Sequence, residues 1–392
     1  MPIILAIAQV EDTLRFELTE EQEMIRKTVR EFALNEIEPL AEEIDKESRH
    51  PHETVEKMAK AGIMGISVPK EYGGAGADTI GYAIAVEEIA RVCASTAIIV
   101  SVNNSLACYP ILKFGTEEQK EKYLKPLATG EKLGAFGLTE PNAGTDAGGV
   151  RTVAAKVDGG WKINGTKIFI TNGAVADTLV IFGLTDPGKG ARGMSGFIIE
   201  KGFDGFSIGT IEDKLGIRGS EQAELVFQDM FVPDENMLGR EGKGFGSAMA
   251  TLDCGRVGVA AQALGIAQGA LDKAVQYAKE REQFGRPIGK FQAIQWMCAD
   301  METRIQAARH LVYGAAYAKD HQKRYSKEAA MAKLYASETA MWVTTKAIQV
   351  HGGYGYTKDY PVERYFRDAK ITEIYEGTSE VQRMVISGSL GL

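Results

Sequence analysis

A single carboxylate near the end of the chain is the first candidate for chemistry. In the stretch ITEIYEGTSEVQR (371–383), Glu376 stands directly before Gly377, a flexible residue that suits a helix stop. Ser379 and Gln382 then match the S-x-x-Q capping box that begins a new helix. The sequence therefore predicts Glu376 at a junction between two helices, beside the unpaired N–H groups of a helix N-terminus.

The neighbours of Glu376 bear on two interpretations of this carboxylate. An exposed position at a helix end is the commonest fate of a glutamate. Ile374 and Tyr375 argue against that fate, because a carboxylate in apolar company has a raised pKa and can act as a base. A catalytic base is therefore the hypothesis that the other motifs must support.

Two loops could hold a polar, planar ligand. FGLTEPNAGTDAGG (136–149) begins as a strand and breaks at Pro141 into a loop that carries hydroxyls, an amide and glycines. Such a loop exposes backbone N–H groups to a ligand edge, although an ordinary tight β-loop is the simpler interpretation. KIFITNG (167–173) is a strand end whose aromatic ring either stacks on a planar group or packs in a core.

Two further segments combine cations or glycines with a helix end. EREQFGRPIGKFQAIQ (280–295) sets Arg281, Arg286 and Lys290 around a Gly-Pro break. These cations either complement the helix dipole or clamp a pyrophosphate. QVHGGYGY (349–356) ends a helix at a double glycine, where the backbone either approaches a ligand closely or forms a C-cap.

Composition excludes several classes of protein. The net charge of −8 and the pI near 5.4 argue against nucleic-acid binding, which needs a basic surface. The cysteines and histidines lack the spacing of a disulfide framework or a metal site, so no metal is expected. GREGKGFGSAM (239–249) lacks the third glycine of a dinucleotide-binding fingerprint, and the chain has no phosphate loop and no nucleophile elbow.

The N-terminal stretch MPIILAIAQVEDTLRF (1–16) needs separate treatment. Its apolar run is shorter than the ~20 residues that a membrane helix requires. It also lacks the basic leader and the cleavage site of a signal peptide. We expect a loose extension or a short packed strand, no membrane span, and a location in the bacterial cytoplasm or, in a eukaryote, the mitochondrial matrix.

Three zones of composition predict an α+β protein with three domains. Residues 1–132 carry helix-period apolar positions and two T-E-E-Q capping boxes, which indicate an N-terminal helical domain. Residues 133–240 carry short β-branched or aromatic runs and a hairpin signal at Asp158-Gly159, which indicate a central antiparallel β domain. Residues 241–392 return to long helices, which pack side by side and favour a C-terminal helical bundle.

Six segments, in this order along the chain, resemble the acyl-CoA dehydrogenase family. They are FGLTEPNAGTDAGG, KIFITNG, LDCGRVGVAAQALGIAQGALD (252–272), REQFGRPIGKFQAIQ, QVHGGYGY and IYEGTSEVQR. The resemblance extends from about residue 16 to the C-terminus. The segments SVNNSLACYPILKFG (101–115) and LDCGRVGVAAQALGIAQ look most like the short-chain, butyryl-CoA branch.

The resemblance implies an activity for the chain. The resemblance implies that the C-terminal bundle has four helices. In that family FAD lies between the β domain and this four-helix bundle, with the acyl-CoA thioester against the flavin. Glu376 stands where the family's catalytic base stands, so it would take the α-proton while the β-hydrogen leaves as hydride to the flavin, giving a trans-2-enoyl-CoA. A ribityl hydroxyl of the flavin and the backbone N–H of the base would stabilise the thioester oxygen. The resemblance further implies a homotetramer that passes electrons to an electron-transferring flavoprotein.

The resemblance also implies which residues bind. The flavin ring and its ribityl chain would contact residues of the β domain: Phe136, Leu138, Thr139, Gly144, Thr145, Phe169, Ile170 and Thr171. The pyrophosphate and adenosine of FAD would contact residues that come, in the family, from a neighbouring subunit: Arg281, Gln292, Gln349, Val350, Gly352 and Gly353. FAD would also contact Phe284, Thr378, Ser379 and Glu380. The acyl-CoA would contact Thr145, Asp253, Arg256 and Gly377.

Some positions depart from the family pattern. Thr145 replaces the more usual serine, and Phe169 replaces a frequent tryptophan, but both keep the hydroxyl or the aromatic ring. Some branches carry the base near residue 255, where this chain has Gly255, so Glu376 has no competitor. The segment STAIIVSV (95–102) lacks the arginine of the glutaryl-CoA branch, which disfavours a second carboxylate on the substrate.

Two rival functions stay open on this evidence. One is an acyl-CoA oxidase, which uses oxygen as the electron acceptor. The other is a non-catalytic acyl-CoA-binding protein on the same fold, against which Glu376 speaks. The physiological direction, oxidation or crotonyl-CoA reduction in a bifurcating complex, is also open.

Overall fold

The computed structural model describes residues 17–392, so the expectation for residues 1–16 lies outside the described part of the chain. The first third of that part is helical. Its α-helices are α1 (Glu20–Phe32), α2 (Ala41–Glu47), α3 (His52–Lys60), α4 (Thr79–Ala90), α5 (Ala94–Val102), α6 (Tyr109–Phe114), α7 (Glu117–Gln119) and α8 (Lys125–Thr129).

Both T-E-E-Q capping boxes are confirmed. At the start of α1, the Thr19 hydroxyl accepts from the N–H of Gln22 at 3.2 Å, and the Gln22 side chain accepts from the Thr19 N–H at 3.0 Å. Thr116 and Gln119 make the same pair of bonds at the start of α7. Each box satisfies two of the N–H groups that a helix start leaves unpaired, which is why the local sequence predicts these boundaries.

The most apolar run of this region is Ala94–Phe114, which joins α5 and α6 through a π-helical turn at Asn103–Cys108. Among the described residues, this run is the one helix that is long and apolar enough to cross a membrane. However, 78% of its most apolar 18-residue stretch is buried inside the protein, as in the core helix of a globular fold. Within the turn, Asn103 donates to the Met64 carbonyl at 2.8 Å and accepts from the Gly134 N–H at 2.9 Å. The run is thereby tied to the first strand of the sheet.

The middle of the chain forms an eight-stranded sheet. Its strands are β1 (Gly134–Gly137), β2 (Val153–Val157), β3 (Gly160–Thr171), β4 (Thr178–Leu184), β5 (Met194–Glu200), β6 (Phe206–Ile211), β7 (Gln222–Pro233) and β8 (Met237–Leu238). Their order is β6-β7-β3-β2-β4-β5-β8, with β1 beside β4.

The pairing within the sheet is mostly antiparallel, as predicted. The hairpin at Asp158-Gly159 is confirmed, because Val157 of β2 pairs with Gly160 of β3. The β1–β4 pairing and the single β2–β4 pairing are parallel. These two exceptions were not expected, because they join strands far apart in sequence, which local patterns do not reveal.

Long helices follow the sheet. They are α9 (Gly244–Glu280), α10 (Gln292–His321), α11 (Ser326–His351), α12 (Val362–Ile371) and α13 (Ser379–Ser389), with a small hairpin of β9 (Glu282–Gln283) and β10 (Arg286–Pro287) after α9. Helix α9 is central, since it packs against α4, α5, α10, α11 and α12. The predicted ranges 1–132, 133–240 and 241–392 stay a prediction of how the chain divides into domains.

The predicted start of α13 is wrong by one residue. Thr378, not Ser379, is the N-cap, and its side chain accepts from the Val381 N–H. Ser379 already has helical geometry, and Gln382 donates to the Gly377 carbonyl instead of closing a capping box. A Thr-Ser pair offers two candidate caps, and the tertiary contacts of Gln382 decide between them.

Candidate active site

A cavity of about 700 Å³ lies where the sheet meets the C-terminal helices. Most of the predicted flavin and substrate residues line it together, although they come from distant parts of the chain. They are Phe136, Leu138, Thr139, Gly144, Thr145, Phe169, Ile170, Thr171, Arg256, Glu376, Gly377 and Thr378. The fold therefore assembles one site from β1, β3, α9 and the turn between α12 and α13.

The Glu376 side chain is held in this cavity by an unusual backbone turn. Glu376 has a φ of +53° and Gly377 a φ of +97°. A left-handed conformation costs a residue with a Cβ about 1–2 kcal/mol, and it persists at a non-glycine position only when surrounding contacts fix it. Among the described residues, the Glu376 Oε2 atom is buried without a hydrogen-bond partner. A polar atom left unpaired inside a cavity is suited to a ligand.

Three donors fix the strained turn through its carbonyls. Arg256 Nε donates to the Glu376 carbonyl at 3.4 Å. Lys333 Nζ and Gln382 Nε2 both donate to the Gly377 carbonyl, at 2.7 and 2.8 Å. Because these donors come from α9, α11 and α13, the position of Glu376 depends on the packing of the whole helical region.

The surroundings of Glu376 set its protonation. Burial raises the pKa of Glu376 from its ordinary value of 4.5 to about 7, while the charges of Lys333 and Arg256 partly oppose this rise. A carboxyl group with a pKa near neutrality exchanges protons readily at physiological pH, which is the requirement for a general base.

Gly255 on α9 makes room for this carboxylate. A Cβ built on Gly255 would lie 2.9 Å from Glu376 Cδ, closer still to Oε2, and 2.8 Å from Leu106 Cδ2. Real Cβ atoms do not approach other atoms so closely, so the glycine is required for the observed position of Glu376. The structure thus gives a steric reason for the absence of a second candidate base near residue 255.

The predicted substrate residues on α9 form a small network. Arg256 pairs with Asp253 at 2.6 Å, and Asp253 also accepts from the hydroxyl of Ser326 at the start of α11. Arg256 lines the cavity, whereas Asp253 does not. The network holds the guanidinium that contacts the Glu376 carbonyl.

A buried ion pair supports the loop after β1, and the sequence analysis missed it. Lys167 of β3 donates to Glu140 at 2.7 Å and to the Leu138 carbonyl at 3.1 Å. Glu140 also accepts from the N–H groups of Arg151 and Thr152, at 2.5 and 3.1 Å. Glu140 lies inside the FGLTEPNAGTDAGG motif, so the sequence could have indicated its role in this loop. Its partner Lys167 is distant in sequence, and no local pattern links the two residues.

The segment from Glu212 to Ile217 also lines the cavity and was missed. Two residues of α12 hold it: Arg367 Nη1 donates to the Leu215 carbonyl at 3.2 Å, and Asp368 accepts from the Ile217 N–H at 2.5 Å. Burial raises the pKa of Asp368 to about 6. The segment reads as an ordinary loop in the sequence, and nothing local links it to α12.

Other predicted cofactor residues lie away from this cavity. A second hollow of about 480 Å³ collects Arg281, Val350, Gly352 and Gly353. Phe284 is 93% exposed, and Gln292, Gln349 and Glu380 are exposed as well. Ser379 is buried and does not line either cavity. The single chain therefore presents the predicted FAD residues in two separate places.

Among residues 17–392, the His, Cys, Asp and Glu side chains form no group of three or more that could hold a metal ion. The cysteines at positions 93, 108, 254 and 298 are free.

Comparison of the sequence with known protein families and relatives gives acyl-CoA dehydrogenases in each case. Family models of the acyl-CoA dehydrogenase N-terminal, middle and C-terminal domains match residues 19–131, 135–230 and 242–391. A short-chain specific acyl-CoA dehydrogenase of Clostridium acetobutylicum is 62% identical over 96% of this chain and 99% of its own length.

Two solved structures have the same fold as this chain. Butyryl-CoA dehydrogenase from Megasphaera elsdenii is similar with a TM-score of 0.95 at 52% identity, over 96% of this chain and 100% of that chain. A second similar chain comes from a structural study of the electron transferring flavoprotein of Acidaminococcus fermentans and of flavin-based electron bifurcation. It matches this chain with a TM-score of 0.95 at 57% identity. That match covers 96% of this chain and 99% of the other.

Proposed function

The chain belongs to the acyl-CoA dehydrogenase family, and from this premise we propose that it oxidises a short-chain acyl-CoA to the trans-2-enoyl-CoA with Glu376 as the base. The observation that carries the proposal is the Glu376 carboxylate, buried in the cavity with one oxygen unpartnered among the described residues. The homologues support acyl-CoA dehydrogenation; the role of each residue is our inference.

The residues of the cavity fit FAD. Thr139, Thr145 and Thr171, which carry hydroxyls, line it, and so does Phe169, which is 55% exposed and has a φ of +58°. An exposed aromatic ring held in a strained conformation beside hydroxyls suits a planar polar ring system. When bound there, FAD supplies the acceptor for the β-hydrogen.

Glu376 removes the α-proton in this proposal. An α C–H beside a thioester is a weak acid, so the carboxylate must be ionised, close and fixed in direction. The turn held by Arg256, Lys333 and Gln382 meets the last requirement. The apolar wall at Leu106 excludes water from the carboxylate and keeps its basicity high.

The backbone at Glu376 also contributes. Its N–H donates to no other described residue, so it is free to bind the thioester oxygen as negative charge develops there. A donor already directed at developing charge lowers the barrier, because it need not reorient during the reaction. One residue thus provides both the base and an enolate-stabilising donor.

The substrate class and partners follow from the same premise. Ile98, Val102 and Leu106 of the buried α5–α6 run line the cavity and suit a short apolar acyl chain. We propose the electron-transferring flavoprotein as the electron acceptor and a homotetramer as the assembly. In such an assembly the hollow at Arg281 and Gly352 would complete the FAD site of a neighbouring copy.

The test is an anaerobic titration of the yellow holoprotein with saturated acyl-CoAs of increasing chain length. Butyryl-CoA is expected to bleach the flavin absorbance, with longer chains less effective, because the proposed substrate is a short-chain acyl-CoA. A protein that lacks flavin, or whose flavin stays oxidised with every acyl-CoA, would be a binding protein instead. Rapid reoxidation of the bleached flavin by air, in stopped-flow mixing, would establish the oxidase.

The rate of flavin reduction is expected to increase with pH. Only the ionised form of Glu376 accepts a proton, and burial holds its pKa at about 7, so the midpoint of the profile should lie near pH 7. Below the midpoint the rate should fall about tenfold per pH unit. Stopped-flow reduction with saturating butyryl-CoA measures this profile, and a rate that stays flat from about pH 6 to about pH 9 would contradict a base with this pKa.

A further inference from the structure

Lys333 of α11 is a buried cation without a paired carboxylate. Its side chain is fully buried, and among the described residues no carboxylate lies within ion-pair distance of its Nζ atom. Its hydrogen bond goes to the Gly377 carbonyl at 2.7 Å. Burial, which desolvates the ammonium group, lowers the pKa of Lys333 to about 8.

Lys167 provides the comparison within the same protein. It is also fully buried, but it donates directly to the Glu140 carboxylate at 2.7 Å. Burying an ammonium group is costly unless the charge is paired and hydrogen-bonded. Both lysines bear a desolvation cost, since burial lowers the pKa of Lys167 to about 8 as well. Lys333 differs in its partner, because its hydrogen bond goes to a backbone carbonyl and not to a carboxylate, and packing alone would be served better by an apolar side chain.

The charged groups around Lys333 converge on the turn of the base. The negative charges of Glu376, Glu373 and Glu380, all in the α12–α13 region, raise the pKa of Lys333. The positive charge of Arg256 on α9 lowers it. Glu376 is the largest favourable one, and Arg256 is a second cation that is already paired with Asp253. Lys333 is thus the unpaired positive charge facing the buried carboxylate.

We propose that Lys333 is a positioning residue for proton abstraction, which holds the Gly377 carbonyl so that Glu376 points into the cavity and favours the ionised carboxylate through its own charge. The inference rests on the proposed function of Glu376. It adds a residue on the bundle helix, 43 positions before the base in the numbering of the chain.

The two parts of this role can be separated. Gln382 also donates to the Gly377 carbonyl, at 2.8 Å, so the carbonyl keeps one donor when Lys333 is replaced. Arg256 contributes charge but has Asp253 as its own partner at 2.6 Å. Loss of the Lys333 charge should therefore change the rate of flavin reduction more than loss of its hydrogen bond does.

The experiment compares three variants of the FAD-loaded protein. Lys333→Met removes the charge and the donor at similar length, and Lys333→Gln removes the charge but keeps an N–H donor. Lys327→Met is the matched control, since it makes the same change at an exposed position of the same helix. Flavin content and thermal unfolding confirm that each variant is folded.

Two measurements test the charge. The pH profile of flavin reduction by butyryl-CoA should move upward by about one unit in both Lys333 variants, so that the rate falls about tenfold at low pH and converges with wild type at high pH. The infrared carbonyl band of the protonated Glu376 carboxyl, assigned by its loss in Glu376→Gln, should persist to correspondingly higher pH. Lys327→Met should leave both unchanged.

Every alternative outcome is informative. An unshifted profile and band in Lys333→Gln would overturn the proposal, as would a rate reduced by one constant factor at all pH values, which indicates a merely structural role. If Lys333→Met does not fold, Lys333→Gln carries the test. If wild type itself is not reduced by any acyl-CoA, the proposed function fails, while the infrared titration still decides the role of Lys333.

Discussion

Glu376→Gln should bind FAD and butyryl-CoA as wild type does, yet reduce its flavin about 10²–10⁴-fold more slowly, the usual contribution of a general base. The amide has the shape of the carboxylate but cannot accept a proton. The turn should survive, because Arg256, Lys333 and Gln382 hold backbone carbonyls and not the side chain. Anaerobic stopped-flow absorbance measures the rate, and spectral perturbation by a non-reducing acyl-CoA analogue measures binding.

The thermal stability of the same variant gives an independent control. The pKa of Glu376 is raised in the folded chain to about 7 from an ordinary value of 4.5, so its contribution to stability is full below pH 4.5 and is lost as the pH rises to 7. Glutamine does not ionise and loses nothing in that interval. The stability of the variant relative to wild type should therefore increase as the pH rises from 4.5 to about 7. Undiminished bleaching in such a folded variant would assign the base to another residue.

Features that depend on neighbouring residues could be predicted from the sequence. The capping boxes at Thr19 and Thr116 and the hairpin at Asp158-Gly159 are confirmed because their partners stand within a few positions. The parallel pairing of β1 with β4 joins residues more than forty positions apart and has no local signature. Local patterns thus gave the types of elements, and contacts distant in sequence decided their arrangement.

In the candidate site, too, residues carried by short motifs could be predicted, and residues placed by tertiary packing could not. Glu376 and the loop from Phe136 to Thr145 could be predicted because short motifs carry them. Lys333 stands in an Ala-rich helical stretch, KEAAMAKLYASETA, where a lysine resembles an ordinary surface residue. Its burial follows from the packing of α11 against α9 and α13, which periodicity alone does not indicate.

The two cavities illustrate a second limit. The motif at Arg281 and the double glycine at Gly352 were predicted to bind FAD, and they share one hollow that is separate from the cavity of Glu376. A sequence lists the residues of a site without stating which copy of the chain supplies them. In the proposed homotetramer, symmetry would bring the hollow of one copy to the cavity of another.

Gly255→Ala should lower the rate of flavin reduction by about 10²-fold, because a misplacement of about 1 Å at the reacting group has an effect of this size. The new methyl group would overlap the Glu376 carboxylate on one side and Leu106 on the other, and backbone on a buried stretch of α9 cannot withdraw. The side chain of Glu376 must then rotate away from the position that Gly255 now permits.

The matched control for this substitution is Gly246→Ala on the same helix. A Cβ at Gly246 meets no atom within 4 Å, and alanine is the better helix former, so this variant should keep full activity and gain slightly in stability. The comparison separates the loss of space at the base from any general effect of alanine in α9. Stopped-flow reduction of both variants, with FAD content as the folding check, measures the difference; equal rates would mean that Glu376 does not need its observed position over Gly255 to take the proton.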